Sequence, residues 1–387
     1  ELDRPLPDPT SDPAPDPGAD EPFRDVDDFG GANDWNVNSI NAPEVWAEGY
    51  TGEGVVVAVV DTGVDASHRE LSSSIWVNQG EIAGNGIDDD VNGFVDDTWG
   101  WDFVAGDNSP TDLNGHGTHV AGTIAAANNG YGATGVAFDA TIMPVRVLDT
   151  SGTGSSYDVA AGIRYAVDNG ADVITVSLGG SYNSTLRAAL SYAEQQGVFV
   201  VAAAGNEADA TPGYPAAFSA SLTNVLSVGA HDSAGAVAWF SNGVGGSGAV
   251  QVDAPGVNIY STLPGNRYGY LSGSSMAAPH VAGLAALALS ANPGLAPEAL
   301  RTLIVDGADR SIAGTDSSGG VNSAVAVARA LGYTATTVGQ TSAASAVATF
   351  NGSSAARLAA DHVFSELGQV PDATRRFRLF GGLGGLG

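Results

Sequence analysis

The chain predicts a three-layer α/β protein with a mainly parallel central sheet covered by helices on both faces. Three observations carry this. Short, continuous apolar runs rich in β-branched residues recur at 55–60, 142–148, 173–178, 198–204 and 225–228, which is how strands buried on both faces read. Segments of helical length and period lie between them, at 115–127, 157–168 and 184–196. The two kinds alternate, and strand alternating with helix gives a parallel sheet with doubly covered faces.

In chain order, residues 1–30 come first as an acidic leader. Repeated Asp-Pro pairs at 8–9, 12–13 and 16–17 with almost no large apolar residue cannot repay the entropy of ordering. The folded unit spans 31–332 and opens near Trp35, where the composition shifts. Its last long helix, about 275–290, is nearly all small or apolar and is expected to be buried, with Pro279 in its first turn. An amphipathic helix at 297–306 follows the Pro293-Gly294 break, and a final one near 321–331 ends at Gly332. Residues 333–387 turn Ala/Ser/Thr-rich and then Gly-Leu repetitive, as a tail or a truncated module.

The 387 residues carry 43 acidic and 14 basic side chains, a formal charge of −29, and no lysine. A phosphate backbone needs a cationic face to release its counterions, so nucleic acid is excluded as a partner. Without Cys there is no disulfide, thiolate metal site or Cys nucleophile. No apolar run approaches the ~20 residues of a membrane span, and the N-terminus lacks a secretory signal pattern. The chain reads as soluble and monomeric, with no membrane partner.

Three motifs bear on chemistry. Asp61 ends the first apolar run before Thr62-Gly63; ligands of open α/β sheets bind beyond strand carboxyl ends, though an Asx-turn has the same look. His116 sits in Asn114-Gly115-His116-Gly117-Thr118-His119 at a helix start, either as a base or, with His119, as a metal pair. Ser275 lies between Gly273-Ser274 and a buried helix, at the end where developing negative charge is stabilised, or as a plain N-cap. Each alone has two readings. Together, in the order Asp, His, Ser, the chain resembles the subtilisin-like serine proteases over about 35–331. Further matches are Ser177-Leu178-Gly179-Gly180, Ala203-Ala204-Gly205-Asn206, Ala254-Pro255-Gly256 and Ser261-Thr262-Leu263-Pro264-Gly265-Asn266. Ser274 departs from the family's usual Thr.

The resemblance implies a subtilisin-like fold, with 31–332 as the catalytic domain of a secreted, extracellular serine endopeptidase acting on protein and peptide substrates. Ser275 would be nucleophile, His116 base, Asp61 its orienting carboxylate and Asn206 the oxyanion donor. A propeptide inhibitor would accompany maturation, and residues 1–30 do not look like one. Gly152, Thr153 and Gly154 would form one edge and Ser177, Leu178 and Gly179 the other, between which an extended peptide adds as a strand. Gly205 and Gly213 would leave the first specificity pocket open to large apolar side chains, with Glu207 at its rim and a turn at Tyr214-Pro215.

Two or more structural Ca2+ sites are expected. Asp88, Asp90, Asn92, Gly93 and the Phe94 carbonyl follow the first half of a calcium loop, with Asp96 or Asp97 completing it, or else form a solvated acidic turn. The resemblance alone implies a second site from Glu70, Asn129, the carbonyls of Ala127, Tyr131 and Ala133, and Asp34. Rival readings are an aspartic protease, which needs two Asp-Thr-Gly copies where one is present, a nucleotide-binding module, for which no phosphate loop follows the first strand, and a catalytically silent calcium-binding structural protein on the same fold.

Overall fold

Every residue of the strand Val56–Asp61 but the first is buried, yet its side chains divide by parity. Val57 and Val59 join one hydrophobic cluster, and Ala58 and Val60 join the other. That division makes the molecule three-layered, since consecutive side chains of a strand point to opposite faces.

The computed structural model describes residues 35–312 and 314–332, with the backbone of 4–5, 336–337, 347–349 and 377–378. In chain order the elements are β1 (Arg4–Pro5), α1 (Trp35–Ser39), α2 (Ala42–Ala47), β2 (Val56–Asp61), β3 (Trp101–Asp102), α3 (His116–Ala125), β4 (Thr141–Arg146), α4 (Ser156–Asp168), β5 (Val173–Val176), β6 (Leu178–Gly179), α5 (Ser184–Gln196), β7 (Phe199–Ala203), β8 (Val225–His231), β9 (Gln251–Pro255), β10 (Ile259–Leu263), β11 (Arg267–Leu271), α6 (Ser274–Ala291), α7 (Pro297–Asp306) and α8 (Ser323–Ala330). Beyond them β12 (Thr336–Thr337), β13 (Val347–Thr349) and β14 (Phe377–Arg378) pair with one another. Most of the 333–387 tail, and most of the 1–30 leader, lies outside the described residues.

Seven strands form the central sheet in the order β3-β4-β2-β5-β7-β8-β9, all parallel. The mainly parallel three-layer fold expected from the sequence is the fold observed. Helices α4 and α5 pack on one face through Val159, Ile163, Leu186 and Leu190. On the other face α3 and α6 supply Val120, Ile124, Val281 and Leu284, with α7 and α8 behind. Helix α6 is long and apolar enough to cross a membrane, but 89% of it is enclosed, as a core helix is.

Two differences from expectation have simple causes. Pro279 is not in the first turn of α6 but is its sixth residue, so the helix begins earlier than its apolar run suggests and the carbonyl of Ser275 loses its intrahelical donor. The strands β3 and β9 and the hairpin β10–β11, paired from Ile259↔Leu271 to Leu263↔Arg267, are interrupted by polar residues and Gly that mask their period. Register then aligns the site. Val59 pairs with Thr175 and Thr175 with Val201, so two residues on, Asp61, Ser177 and Ala203 share one level at the carboxyl edge.

Candidate active site

At that edge Asp61 is buried, and its Oδ1 accepts from the Thr62 amide at 2.7 Å and pairs with His116 Nδ1 at 2.8 Å. His116 opens α3 after Gly115, whose φ of 110° is the left-handed value that favours glycine. Gly117 is required for another reason: a Cβ there would sit 2.1 Å from the Gly63 carbonyl and 3.2 Å from Asp61 Cβ. The glycines flanking His116 therefore let α3 approach the end of β2 closely enough for the imidazole to meet the carboxylate.

Asp112, which the sequence reading missed, anchors this arrangement. Its buried carboxylate accepts from the amides of Asn114, Gly115 and Thr118 and from the hydroxyls of Thr62 and Thr118. A carboxylate satisfied by the first amides of a helix is favoured by the helix dipole. Its only sequence signal was an acidic residue four positions before His116. His119 turns away, with Nε2 against the Ile259 carbonyl at 2.9 Å. Burial holds its pKa down at about 3. The two imidazoles point to different partners, so they do not form the metal pair that their spacing left open.

Ser275 is buried near the start of α6. Its hydroxyl donates to the Ser177 carbonyl at 3.1 Å, and the Ser177 hydroxyl donates to the Ser275 carbonyl at 3.0 Å. Asn206, on the loop after β7, turns its Oδ1 to the Ser274 amide at 2.8 Å and the Ser274 hydroxyl at 3.0 Å. With its oxygen engaged there, the Asn206 Nδ2 is aimed toward the Gly273-Ser274-Ser275 turn, 3.1 Å from where a Gly273 Cβ would stand. Gly273 itself has a φ of 156°. Amide donors and a helix N-terminus thus face one small region, the arrangement that stabilises a developing oxyanion.

The two segments expected from the resemblance to bind peptide have these surroundings. Leu178–Gly179 is β6, and its antiparallel partner is β1, with Arg4 opposite Gly179 and Pro5 opposite Leu178. On the opposite segment Gly152 turns with a φ of 75°, Thr153 donates its amide to Asp149 Oδ1, and Gly154 packs on the Val147 carbonyl. Gly180 and Tyr214 exchange backbone hydrogen bonds, and the Tyr214-Pro215 peptide is cis. Gly213 is open, a Cβ there meeting only carbonyl oxygens at 3.8 and 4.0 Å. Gly205 is not open: its φ is 120°, and a Cβ would stand 2.1 Å from Asn242 Nδ2 and 2.6 Å from Glu207 Oε2. The room expected from two glycines rests on Gly213.

In the acidic loop the groups that converge differ from the pattern read in sequence. Single ligand oxygens of Glu81, Asp90 and Asp97 lie within 4.8 Å of one another. Asp88 instead accepts from the Asn92 and Gly93 amides, and Asp96 from the Asn85 and Gly86 amides, so both shape turns. Asn92 donates to Asp90 and Asp97, and Phe94 gives its amide to Asn92 Oδ1 while its ring packs on Trp101 and Tyr165. Asp97 is buried, and desolvation pushes its pKa up against the hydrogen bonds from Tyr165, Asn78 and Asn92. Glu81, seven residues before Asp88, lay outside the motif and was missed.

At the second expected metal position Glu70 is fully buried, accepting from Tyr268 Oη at 2.6 Å and from Asn129 Nδ2 at 2.9 Å. Asn129 Oδ1 accepts from the Tyr131 amide, and the Ala127 amide donates to the Glu70 carbonyl. Ala133 is buried beside Ala126 and Tyr260. Asp34 lies outside the described residues. A cation there would require Asn129 to present oxygen where it now presents nitrogen.

A model described as the subtilase family matches residues 52–333. Thermitase from Thermoactinomyces vulgaris is 41% identical over 291 residues, covering 75% of this chain and 92% of its own. Subtilisin DY from Bacillus licheniformis is 42% identical over 272 residues, covering 69% and 88%. Subtilisin E from Bacillus subtilis is 42% identical over 265 residues, covering 67% and 61%.

Proposed function

Since the chain belongs to the subtilase family and is a serine endopeptidase acting on proteins or peptides, we propose that Asp61, His116 and Ser275 are its catalytic triad and Asn206 its oxyanion donor, in a catalytic domain over 31–332. The observation that carries this reading is the 2.8 Å contact between His116 Nδ1 and Asp61 Oδ1 at the same sheet edge as Ser275. With Nδ1–H donated to Asp61, Nε2 is left as the basic nitrogen.

The steps follow from the groups. Ser275 Oγ attacks the scissile carbonyl carbon while His116 Nε2 takes its proton. The carbonyl oxygen becomes an anion, and the Asn206 Nδ2 and the Ser275 amide donate to it. His116 then delivers the proton to the leaving amine as the C–N bond breaks, leaving an acyl ester on Ser275. Water, deprotonated by His116, hydrolyses that ester and restores the hydroxyl. Asp61 holds the tautomer throughout.

Substrate would add as a strand at β6, facing 152–154. The antiparallel seat of Arg4–Pro5 at Leu178–Gly179 supports this, because it is an extended segment on that edge. The open side of Gly213 supports a preference for a large apolar side chain before the scissile bond.

Calcium would be held by the carboxylates of Glu81, Asp90 and Asp97, with Asn92 joining only if its amide, which now turns Nδ2 to Asp90 and Asp97, were reversed. These are hard oxygen donors on a loop that takes part in none of the described ion pairs. Bound there, the cation would supply charge neutralisation and loop stability, no chemistry. Glu70 and Asn129 would form a second site only with the amide of Asn129 reversed. An acidic, calcium-dependent chain suits a medium rich in the free ion, so secretion and an extracellular, monomeric working state are part of the proposal.

The test is labelling with a fluorophosphonate probe and mapping of the modified peptide. Label on Ser275, lost in His116→Ala and Ser275→Ala, is expected; label elsewhere, or none, would sink the triad assignment and favour a silent calcium-binding protein on this fold.

A further inference from the structure

Asn242 lies 36 positions beyond Asn206 and carries no motif, yet it is 2% exposed and its side chain spends its whole hydrogen-bonding capacity on the loop that holds Asn206. Its Nδ2 donates to the Ala204 carbonyl at 3.2 Å and to Glu207 Oε2 at 2.9 Å. Its Oδ1 accepts from the amides of Glu207 at 3.1 Å and Asp209 at 2.9 Å. Its own amide donates to the Gly205 carbonyl at 3.0 Å. A carboxamide offers two donors and two acceptor lone pairs, and all four are spent within residues 204–209.

These bonds fall on the residues either side of Asn206: the carbonyls of Ala204 and Gly205 before it and the amide of Glu207 after it. The Asn206 amide itself donates to Glu207 Oε2 at 2.9 Å, the same oxygen that Asn242 holds. Glu207 is otherwise exposed, so its carboxylate is drawn back onto the loop by two donors rather than left to extend. The left-handed Gly205 completes the fit, since any side chain there would strike the Asn242 amide.

We infer that Asn242 is a positioning and specificity-determining residue: it fixes the direction of the Asn206 donor and turns the Glu207 carboxylate inward, away from a basic side chain entering the first pocket. The inference rests on the reading of Asn206 as oxyanion donor. Two mechanisms act through one side chain. Fixing Asn206 matters only once negative charge develops, so it is felt in kcat. Holding Glu207 matters in the choice between a neutral and a cationic residue before the scissile bond.

Asn242→Asp is the incisive variant. It keeps the shape and the two acceptors but sets an oxygen against Ala204 O and Glu207 Oε2, replacing two attractions with repulsion. Peptide substrates differing only in Phe or Arg before the scissile bond are compared in the parent, Asn242→Asp, Glu207→Gln and the double variant, with fluorophosphonate label counting active sites. Asn242→Asp should lower kcat on the Phe substrate at least tenfold with KM within threefold, and raise the Arg:Phe ratio of kcat/KM at least fivefold. Glu207→Gln in the same background should return that ratio to the parent's. A labelled Asn242→Asp protein with kcat and ratio both within twofold of the parent overturns the inference alone, and a raised ratio that persists in the double variant overturns the part assigned to Glu207. A parent without label or turnover overturns the catalytic reading and the inference together. Should Asn242→Asp not fold, Glu207→Gln in the parent decides: a ratio within twofold fits an inward carboxylate, and a tenfold loss of Arg cleavage refutes it.

Discussion

Ser177 and Ser275 exchange hydrogen bonds, hydroxyl to carbonyl in both directions, at 3.0 and 3.1 Å. Pro279 explains half of this exchange. Four residues beyond Ser275, it has no N–H to give the Ser275 carbonyl, and the Ser177 hydroxyl supplies the missing donor from β5's end.

Ser177→Ala should therefore leave a buried carbonyl unsatisfied and cost about 1–3 kcal/mol of stability. Because a proline-free helix could close that bond itself, Pro279→Ala should be less harmful in the Ser177→Ala background than in the parent. Urea denaturation of the four proteins, each carrying Ser275→Ala to prevent self-digestion, measures the coupling. Strict additivity would mean that the two residues do not share the carbonyl.

Asn206→Ala should lower kcat by roughly 10²- to 10³-fold with KM little changed, because the lost donor acts mainly on the transition state. Steady-state kinetics on a chromogenic peptide reads this directly. An effect confined to KM would make Asn206 a ground-state contact.

Gly213→Val should shift cleavage from large apolar or aromatic residues toward small ones while leaving the fold intact, since a Cβ there meets no atom closer than 3.8 Å. Profiling on a peptide library shows the shift. An unchanged profile would move the specificity pocket elsewhere.

Stability should fall on acidification below about pH 6.5, in part through two buried imidazoles. His119 and His280 are both held at about 3 by desolvation, whereas in the unfolded chain a histidine takes its proton near 6.5. Between those values the unfolded state binds more protons, so each imidazole withdraws stability as pH drops, by about 1.4 kcal/mol per pH unit once well below 6.5. His280→Gln should make the loss between pH 6.5 and 5 smaller by roughly 1–2 kcal/mol. Denaturation curves of the Ser275→Ala protein with and without this change, at both pH values, give the difference; an identical pH dependence refutes it.

Calcium should raise the melting temperature of the Ser275→Ala protein, and chelation should lower it. Binding to the native state alone adds about 2.7 kcal/mol at a hundredfold excess over Kd. Glu81→Gln with Asp97→Asn should remove most of that shift, whereas Asp88→Asn, whose oxygens shape a turn, should remove little. A shift untouched by the double variant would leave Glu70 and Asn129 as the source.

The strands and helices that bury continuous apolar surface were legible, as were the residues on glycine-flanked motifs, because chemistry and close approach restrict those positions to few residue types. Asp112, Asn242 and Glu81 were not. Each acts through backbone amides or carbonyls that are distant in sequence or belong to a turn, and an isolated Asp, Asn or Glu has the same appearance wherever it stands. Gly205 shows the complementary error: its identity was legible, but the neighbour that demands it was not, and Asn242 fills the space that the missing Cβ had suggested was empty. Pro279 falls beyond the first turn because the helix also takes in the polar Ser274 and is capped at Gly273.

The common level of Asp61, Ser177 and Ala203 makes the site tolerant of one kind of genetic change and intolerant of another. Swapping Val for Ile within β2, β5 or β7 alters volume by a methylene and leaves the backbone ladder, and hence the alignment at its edge, in place. Deleting or inserting a single codon inside one of those strands moves every later residue of that strand by about 3.3 Å and turns it to the opposite face. Length within these three strands is therefore the quantity under strictest control, and variation in length belongs to the loops that leave them.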